Sequence, residues 1–493
     1  MPTYASKPRF YPASRVLLAL CAGVVLPVTA ATLQVGPTRL YTKPCAAIAA
    51  ATAGDIVEID AATYIGDVCG IYANNLTIRG VNGRPKIDAG GNNAMGKGTW
   101  VIIGSNVVVE NVEMFGARVA DRNGAALRLE GDHFTLRGSF IHDNENGVLG
   151  GLSTASNILI ETTEFGYNGY GDGYSHNIYI FNVGTLTFRY NYTHDANVGH
   201  NLKSRARVNN ILYNRFSSTP AGQTGSTTPG QPSYEIDLPN AGTSYVIGNV
   251  IQQPAVNQNP GMLAYGAEGA SNPGQDLYVV NNTFLNDQST SGTFILAGGT
   301  VTTPILMQNN IFGGVGTVNT QTSAIDKTNY RSMSPGFIDR GGYDLHPTDP
   351  LVRDSGSAPG LSASGVSLMP VAQYRHVASG EARPTVGQID IGAYEAVTTS
   401  SGADTVAPLV TFVSPKNGDT VRRKFKVSVN ATDNVAVART SLYLDGKLIT
   451  SVSGGTLGTT VSTTSTGAQT LTATAVDAAN NQTSSSVTVM VVR

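Results

Sequence analysis

The chain has 493 residues, of which 13% are charged and 56 are Gly, and a formal net charge of −2. So little charge excludes broad electrostatic attraction to nucleic acid, and the abundance of Gly, Asn, Ser and Thr favours short strands with tight turns over long solvated helices. The length exceeds one ordinary domain, yet a solenoid, whose repeats meet only their neighbours, grows without that limit.

Lys7, Arg9 and Arg15 precede an apolar run from Val16 to Pro27, and Val28-Thr29-Ala30 supplies a small-residue cleavage pattern. Residues 1–30 therefore read as a cleaved secretory signal, placing the mature chain in the periplasm or outside the cell. A lipoprotein would use Cys21 as its anchor, but Leu20 stands where a small residue is wanted. No later stretch approaches about 20 apolar residues, so no membrane span is expected. Cleavage leaves Cys45 and Cys69, a pair that in an exported chain forms a disulfide stapling one end of the fold, two buried thiols being the alternative.

The Ala-rich segment Lys43 to Ala53, with Pro at its start, predicts a short helix that covers the open end of a solenoid. Strand-like segments then recur. Aligned on a closing aromatic or apolar residue, they give Phe140, Phe165, Tyr192, Phe216, Ile251, Phe284 and Phe312, at spacings of 25, 27, 24, 35, 33 and 28. That period predicts one coil of three short strands per repeat, with the Asn pairs 209–210, 281–282 and 309–310 near turns, where Asn tolerates left-handed geometry and can stack in ladders. The repeat fades after Phe312, and an irregular segment ending in QIDIGAYE (388–395) closes the stack. Residues 398–404 read as a linker. From 405 to 493 alternating strands, with Asp445-Gly446 as a hairpin turn, predict an immunoglobulin-like or fibronectin-like sandwich. The fold class is thus all-β: a right-handed parallel β-helix over 31–397 with an N-terminal helical cap, then an Ig-like domain.

Three segments superpose rung by rung: Ser175 to Phe181, Gly199 to Arg205 and Ser233 to Pro239. Alternation turns Ile178, Leu202 and Ile236 inward, and carries Asn177, Tyr179 and Phe181, then Asn201, Lys203 and Arg205, then Glu235 and Asp237 outward as one patch. A Lys and an Arg beside carboxylates suit β-elimination of a uronic-acid glycoside, which removes a proton next to a carboxylate whose charge must be neutralised. Lys203, its pKa lowered by nearby positive charge, is the candidate base. Arg205 neutralises charge or assists the leaving oxygen, and Tyr179 supplies the acid or a sugar platform. Asn177, Asn201, Phe181, His176 and His200 are candidate substrate contacts, and Glu235 and Asp237 a candidate Ca²⁺ pair. The plain alternative is a solvated face with the ion pairs Lys203–Asp237 and Arg205–Glu235. Asp172, in the turn before the first of these strands, is ambiguous, and His142-Asp143 and His194-Asp195 read as turn chemistry.

Over about residues 40–397 the chain resembles the pectate lyase-like parallel β-helix polysaccharide lyases. HNLKSRARVNNILYNRF (200–216) is similar to the Asn-Lys-Ser strand and Asn-x-Phe turn of the alginate lyase and chondroitinase B group. In that group the Lys is the base and Ca²⁺ neutralises the uronate, a role the resemblance carries onto Lys203 alone. The group's Arg comes from the following coil, where Glu235 and Asp237 stand here, and its calcium carboxylates occupy another rung. The cap, the repeat and the QIDIGAYE ending also resemble exported bacterial β-helix proteins. A monomer acting on an acidic, uronate-containing polysaccharide is expected. Competing readings are a uronan C5-epimerase, a glycoside hydrolase, which needs carboxylates flanking the bond, and a polysaccharide-binding adhesin.

Overall fold

In the computed structural model, residues 2, 30–217, 231–396, 406–434, 436–477, 479 and 481–493 are described. The expected signal segment, the linker and the insertion at 218–230 lie outside them. Two units are present, Met1–Glu395 and Ala396–Arg493. No helix among the described residues is long and apolar enough to cross a membrane.

The first unit is a right-handed parallel β-helix whose coils contribute in turn to a 12-stranded sheet (sheet A), an 11-stranded sheet (sheet B) and a 10-stranded sheet (sheet C). Sheet A runs from Thr32–Val35 to Ile325–Lys327, sheet B from Thr63–Ile65 to Tyr330–Ser332 and sheet C from Cys69–Ile71 to Thr317–Asn319. The stack therefore continues for one coil beyond Phe312, where the sequence pattern fades. Inward columns of Val, Ile, Leu and Phe fill the core. One such column is Ile141, Phe165, Thr193, Phe216, Ile251, Phe284 and Phe312. The aromatics aligned from sequence at two of these coils, Phe140 and Tyr192, are instead the outward neighbours of Ile141 and Thr193. A bulky outward ring on sheet B mimics the core residue beside it.

The corner between sheets A and B is made by one residue with positive φ followed by an inward Asn. Tyr190, Tyr213, Gly248, Asn281, Asn309 and Thr328 take the left-handed conformation, and Asn191, Asn214, Asn249, Asn282, Asn310 and Asn329 follow them. In each of these Asn residues except the last, Nδ2 donates to Oδ1 of the Asn one coil on, at 2.9–3.1 Å. The same Oδ1 accepts the preceding Asn's backbone N–H, at 2.7–2.9 Å.

A second internal ladder lines the corner between sheets B and C. It passes from Asn144 to Asn168 to Asn177 to Asn201 at 2.8–2.9 Å and ends where Asn201 Nδ2 donates to Glu235 Oε2 at 2.5 Å. This overturns the outward placement of Asn177, Asn201 and Glu235. They precede the strands Ile178–Ile180, Leu202–Ser204 and Ile236–Leu238, so two-residue alternation does not reach them, and the turn points them in. Burial pushes the Glu235 carboxyl up to about 8, with nearby Asp195 adding to the rise and the Asn201 bond opposing it. Its Oε1 has no hydrogen-bond partner among the described residues.

The outer face of sheet A carries a different ladder: Glu58, Arg79, Glu110, Arg137, Glu161 and Arg189 stand side by side in register. Ion pairs of 2.6–3.1 Å join Arg79 to Glu58, Arg137 to both Glu110 and Glu161, and Arg189 to Glu161. At the N-terminal end the helix Pro44–Ala50 buries Ala47 and Ile48 over the first coil, and the Cys45–Cys69 disulfide ties it to sheet C. The segment after the last coil does not merely plug the end. It runs back along the flank, where Leu345, Tyr374 and Tyr394 pack on Tyr192, Val250 and Leu285, and Leu368 and Ala372 on Tyr213, Tyr245 and Tyr278. The second unit is a sandwich of a 3-stranded and a 5-stranded sheet around Val429, Leu442, Leu457, Leu471 and Val489, with Asp445 and Gly446 both at positive φ in the expected hairpin turn.

Two outcomes follow for stability. Replacing Cys45 and Cys69 together by Ser removes a cross-link between residues 24 apart and should cost about 3 kcal/mol, read as an earlier calorimetric transition and faster hydrogen exchange over the first coil. Glu235 binds its proton more tightly in the folded chain, so its contribution to stability falls as pH rises from the ordinary carboxylate value through about 8 and is flat beyond. Glu235→Gln should remove that slope, gaining about 2–4 kcal/mol on wild type between pH 5 and 9, measured by denaturant titration at each pH.

Candidate functional site

On the outer side of sheet C, the register places Tyr179 beside Lys203 and Lys203 beside Asp237. Phe181 and Arg205 follow immediately after their strands and stay on the same side. These five residues are brought together as expected; Asn177, Asn201 and Glu235 are not.

Lys203 lies at the centre. Its Nζ is 3.2 Å from Asp237 Oδ2 and 2.9 Å from Glu268 Oε1, and 5.4 Å from the Tyr179 ring centre. Arg205 is held from three sides. Its Nε donates to Tyr179 Oη at 2.7 Å, one Nη to Asn240 Oδ1, and the other to Glu268 Oε2 at 2.6 Å. Phe181 meets Tyr179 edge to face at 4.7 Å, and the Arg128 guanidinium lies 6.0 Å from the Phe181 ring centre. Of the two expected ion pairs, Lys203–Asp237 forms, whereas Arg205 pairs with Glu268 in place of the buried Glu235.

Exposure grades the group. The Asp237 side chain is 4% exposed and Lys203 11%, while Glu268 is 49% exposed. Burial pushes the Asp237 carboxyl up to about 6, and the Lys203 charge limits the rise. Burial also disfavours the Lys203 ammonium, but Asp237 and Glu268 outweigh it and hold its pKa above the ordinary value. This corrects the expectation of a lowered pKa: the nearest charges to Lys203 are carboxylates, and Arg205 is itself paired with one of them.

His176 and His200 stack at 4.6 Å with planes 11° apart. Each uses Nδ1 as an acceptor, His176 for the His200 N–H at 3.0 Å and His200 for the Tyr234 N–H at 3.1 Å, so the remaining ring proton sits on Nε2. His200 Nε2 lies 3.4 Å from Asp237 Oδ2. Burial keeps both rings neutral, His200 down to about 3 and His176 well below the usual value, with the Lys203 charge contributing to both.

Glu235, in the turn before the strand, points inward while Asp237 points outward, so the two do not form the expected Ca²⁺ chelate. Among the described residues no group of three or more His, Cys, Asp or Glu side chains is arranged to hold a metal. Asp172 caps its own turn by accepting the Tyr174 N–H. His142 and His194 pair with Asp143 and Asp195 at 2.6 Å on the sheet B side, outside this strip. Glu268 and Asn240 are the members that rung-by-rung reading missed. Both lie in turns after sheet C strands, and the next position in the Lys203–Asp237 column is Ala264. The available signal was a single acidic residue in the Gly- and Ala-rich turn AYGAEGASN (264–272).

The sequence profile of the bacterial Ig domain matches residues 408–475. No curated protein matches the chain. Among solved structures, the chain is similar to pectate lyase Pel9A, with 15% identity over 75% of this chain and 97% of that one and a TM-score of 0.47. It is also similar to the pectin methylesterase of Aspergillus niger, with 12% identity over 61% of this chain and 84% of that one and a TM-score of 0.22. The fibronectin(III)-like modules of Clostridium thermocellum CbhA align with 23% identity over 17% of this chain and 94% of that one, with a TM-score of 0.16. At such identities and TM-scores these likenesses carry no statement about activity. The chain is a parallel β-helix joined to a bacterial Ig-like domain.

Proposed function

We propose that the chain is a secreted carbohydrate-active protein that cleaves an acidic, uronate-containing polysaccharide by β-elimination, with Lys203, Arg205 and Tyr179 as its catalytic residues. The observation behind this reading is the meeting of an ammonium, a guanidinium and a phenol on one outward strip, with a buried carboxylate at 3.2 Å from the ammonium. A uronate carboxylate seated on Arg205 has its charge neutralised, which acidifies the proton on the adjacent carbon. Lys203 removes that proton, the electron pair forms the C4–C5 double bond, and the C4–O bond breaks. Tyr179 gives its proton to the leaving oxygen. Asp237 and Glu268 hold Lys203 charged at rest, so the reacting form is the amine after loss of its proton to solvent. No step runs through calcium, since the pair expected to hold it is split between the interior and the surface.

One observation favours a second reading. Both cations are already paired with Glu268, as suits a site that binds an acidic polymer without cleaving it. The full chain incubated with a panel of uronate polymers separates the two. A lyase produces the ultraviolet absorbance of an unsaturated uronate, and Lys203→Ala should lower its rate by about 10²–10⁴-fold. Reducing ends without that absorbance would sink the elimination reading in favour of hydrolysis, and retained binding without any product would leave the adhesin. An unchanged polymer with altered C5 configuration by NMR would indicate epimerisation. Activity should rise with pH across the neutral and alkaline range, because the free Lys203 amine is the reacting form, and Asp237→Asn, which removes a charge that retains the Lys203 proton, should move that rise to lower pH.

A further inference from the structure

Glu268 is an acidic member of the site that comes from outside the three stacked rungs. Its turn is rigidly set. The Glu268 N–H donates to Pro239 O at 3.0 Å and the Gly266 N–H to Leu238 O at 2.8 Å, while Asn272 Nδ2 donates to Arg205 O and Ala206 O at 3.1 and 3.0 Å. From this turn one carboxylate bridges both cations, Oε1 to Lys203 and Oε2 to Arg205. The two carboxylates around Lys203 differ in kind. Asp237 is buried, whereas Glu268 is half exposed, and an ion pair whose acid stands so open to water holds only weakly. An incoming carboxylate offers the same charge and the same two-oxygen geometry, so it can replace Glu268 at little cost and cannot replace Asp237.

We infer that Glu268 is a built-in placeholder that occupies the carboxylate subsite of Lys203 and Arg205 until a uronate carboxylate displaces it. This rests on the reading of the site as one that acts on an acidic polysaccharide. Neutral sugars leave Glu268 in place and gain nothing from either cation; a uronate trades one carboxylate for another and is held.

The test uses the full chain, wild type and Glu268→Ala, with Glu268→Gln as a variant that keeps the shape of the turn. Lys203 is reductively methylated by formaldehyde and cyanoborohydride, and its rate is read by peptide mass. Loss of the Glu268 charge should speed methylation about three- to tenfold. Millimolar acetate should slow Glu268→Ala back towards wild type and leave wild type unaffected. In parallel, galacturonate oligomers should bind Glu268→Ala about tenfold more tightly than wild type, a gain of about 1.4 kcal/mol, with neutral galactose oligomers unchanged. Acetate without effect on Glu268→Ala, or acidic oligomers bound no more tightly by it, overturns the inference. If acidic oligomers bind neither form, the polysaccharide reading fails, and the acetate arm alone decides whether Glu268 vacates an anion subsite.

Discussion

From Asn111 onward, each coil of this β-helix turns its corner between sheets A and B by setting one residue in the left-handed region and the next inside the stack, an Asn from Asn191 on. A buried amide without partners costs about 1–3 kcal/mol, and the corner Asn avoids that only when another coil supplies the matching amide at the same height. The ladder from Asn191 to Asn329 therefore ties each coil to its neighbour in one register. A slip by one residue would unpair the amides and turn every strand inside out. Register set in this way is what brings Tyr179, Lys203 and Asp237 side by side on sheet C.

The same geometry separates two acids only two positions apart. Glu235 closes the second ladder in the interior, where burial favours its protonated form; Asp237 meets Lys203 and His200 at the rim and is ionised at neutral pH. One strand thus ends an inner hydrogen-bond chain and begins an outer charged group. Burying Asp237 and Lys203 is costly for each alone, and the pair persists because each supplies the other's counter-charge. A site assembled in this way is held by the core, and its chemistry depends on one exposed turn.

Much of this was legible in the residues. The period, the helical cap, the disulfide pair, the Ig-like tail and the Lys203–Asp237 contact all follow from spacing and alternation. What escaped had physical reasons. Alternation holds within a strand and fails in the turn before it, which misplaced Asn177, Asn201 and Glu235. Phe140 and Tyr192 stood in for Ile141 and Thr193 because size alone does not say which side of a strand a ring occupies. Glu268 sits in a turn one coil away, beside a rung that shows only Ala264, so no strand pattern points to it. The lowered pKa expected for Lys203 failed because Asp237 and the unseen Glu268 together outweigh the effect of burial.

The segment that returns along the flank changes what kind of object the β-helix is. A simple solenoid is a one-dimensional array, and its end coils fray independently of its middle. Here Tyr374, Tyr394 and Leu368 rest on coils well before the last one, and Asn281 donates to the carbonyls of Asp390 and Gly392. The terminal coils cannot peel away without also stripping this strap from coils nearer the centre. Fraying at that end is thereby coupled to the middle of the molecule, and the C-terminal half of the stack gains the all-or-none behaviour of a compact domain.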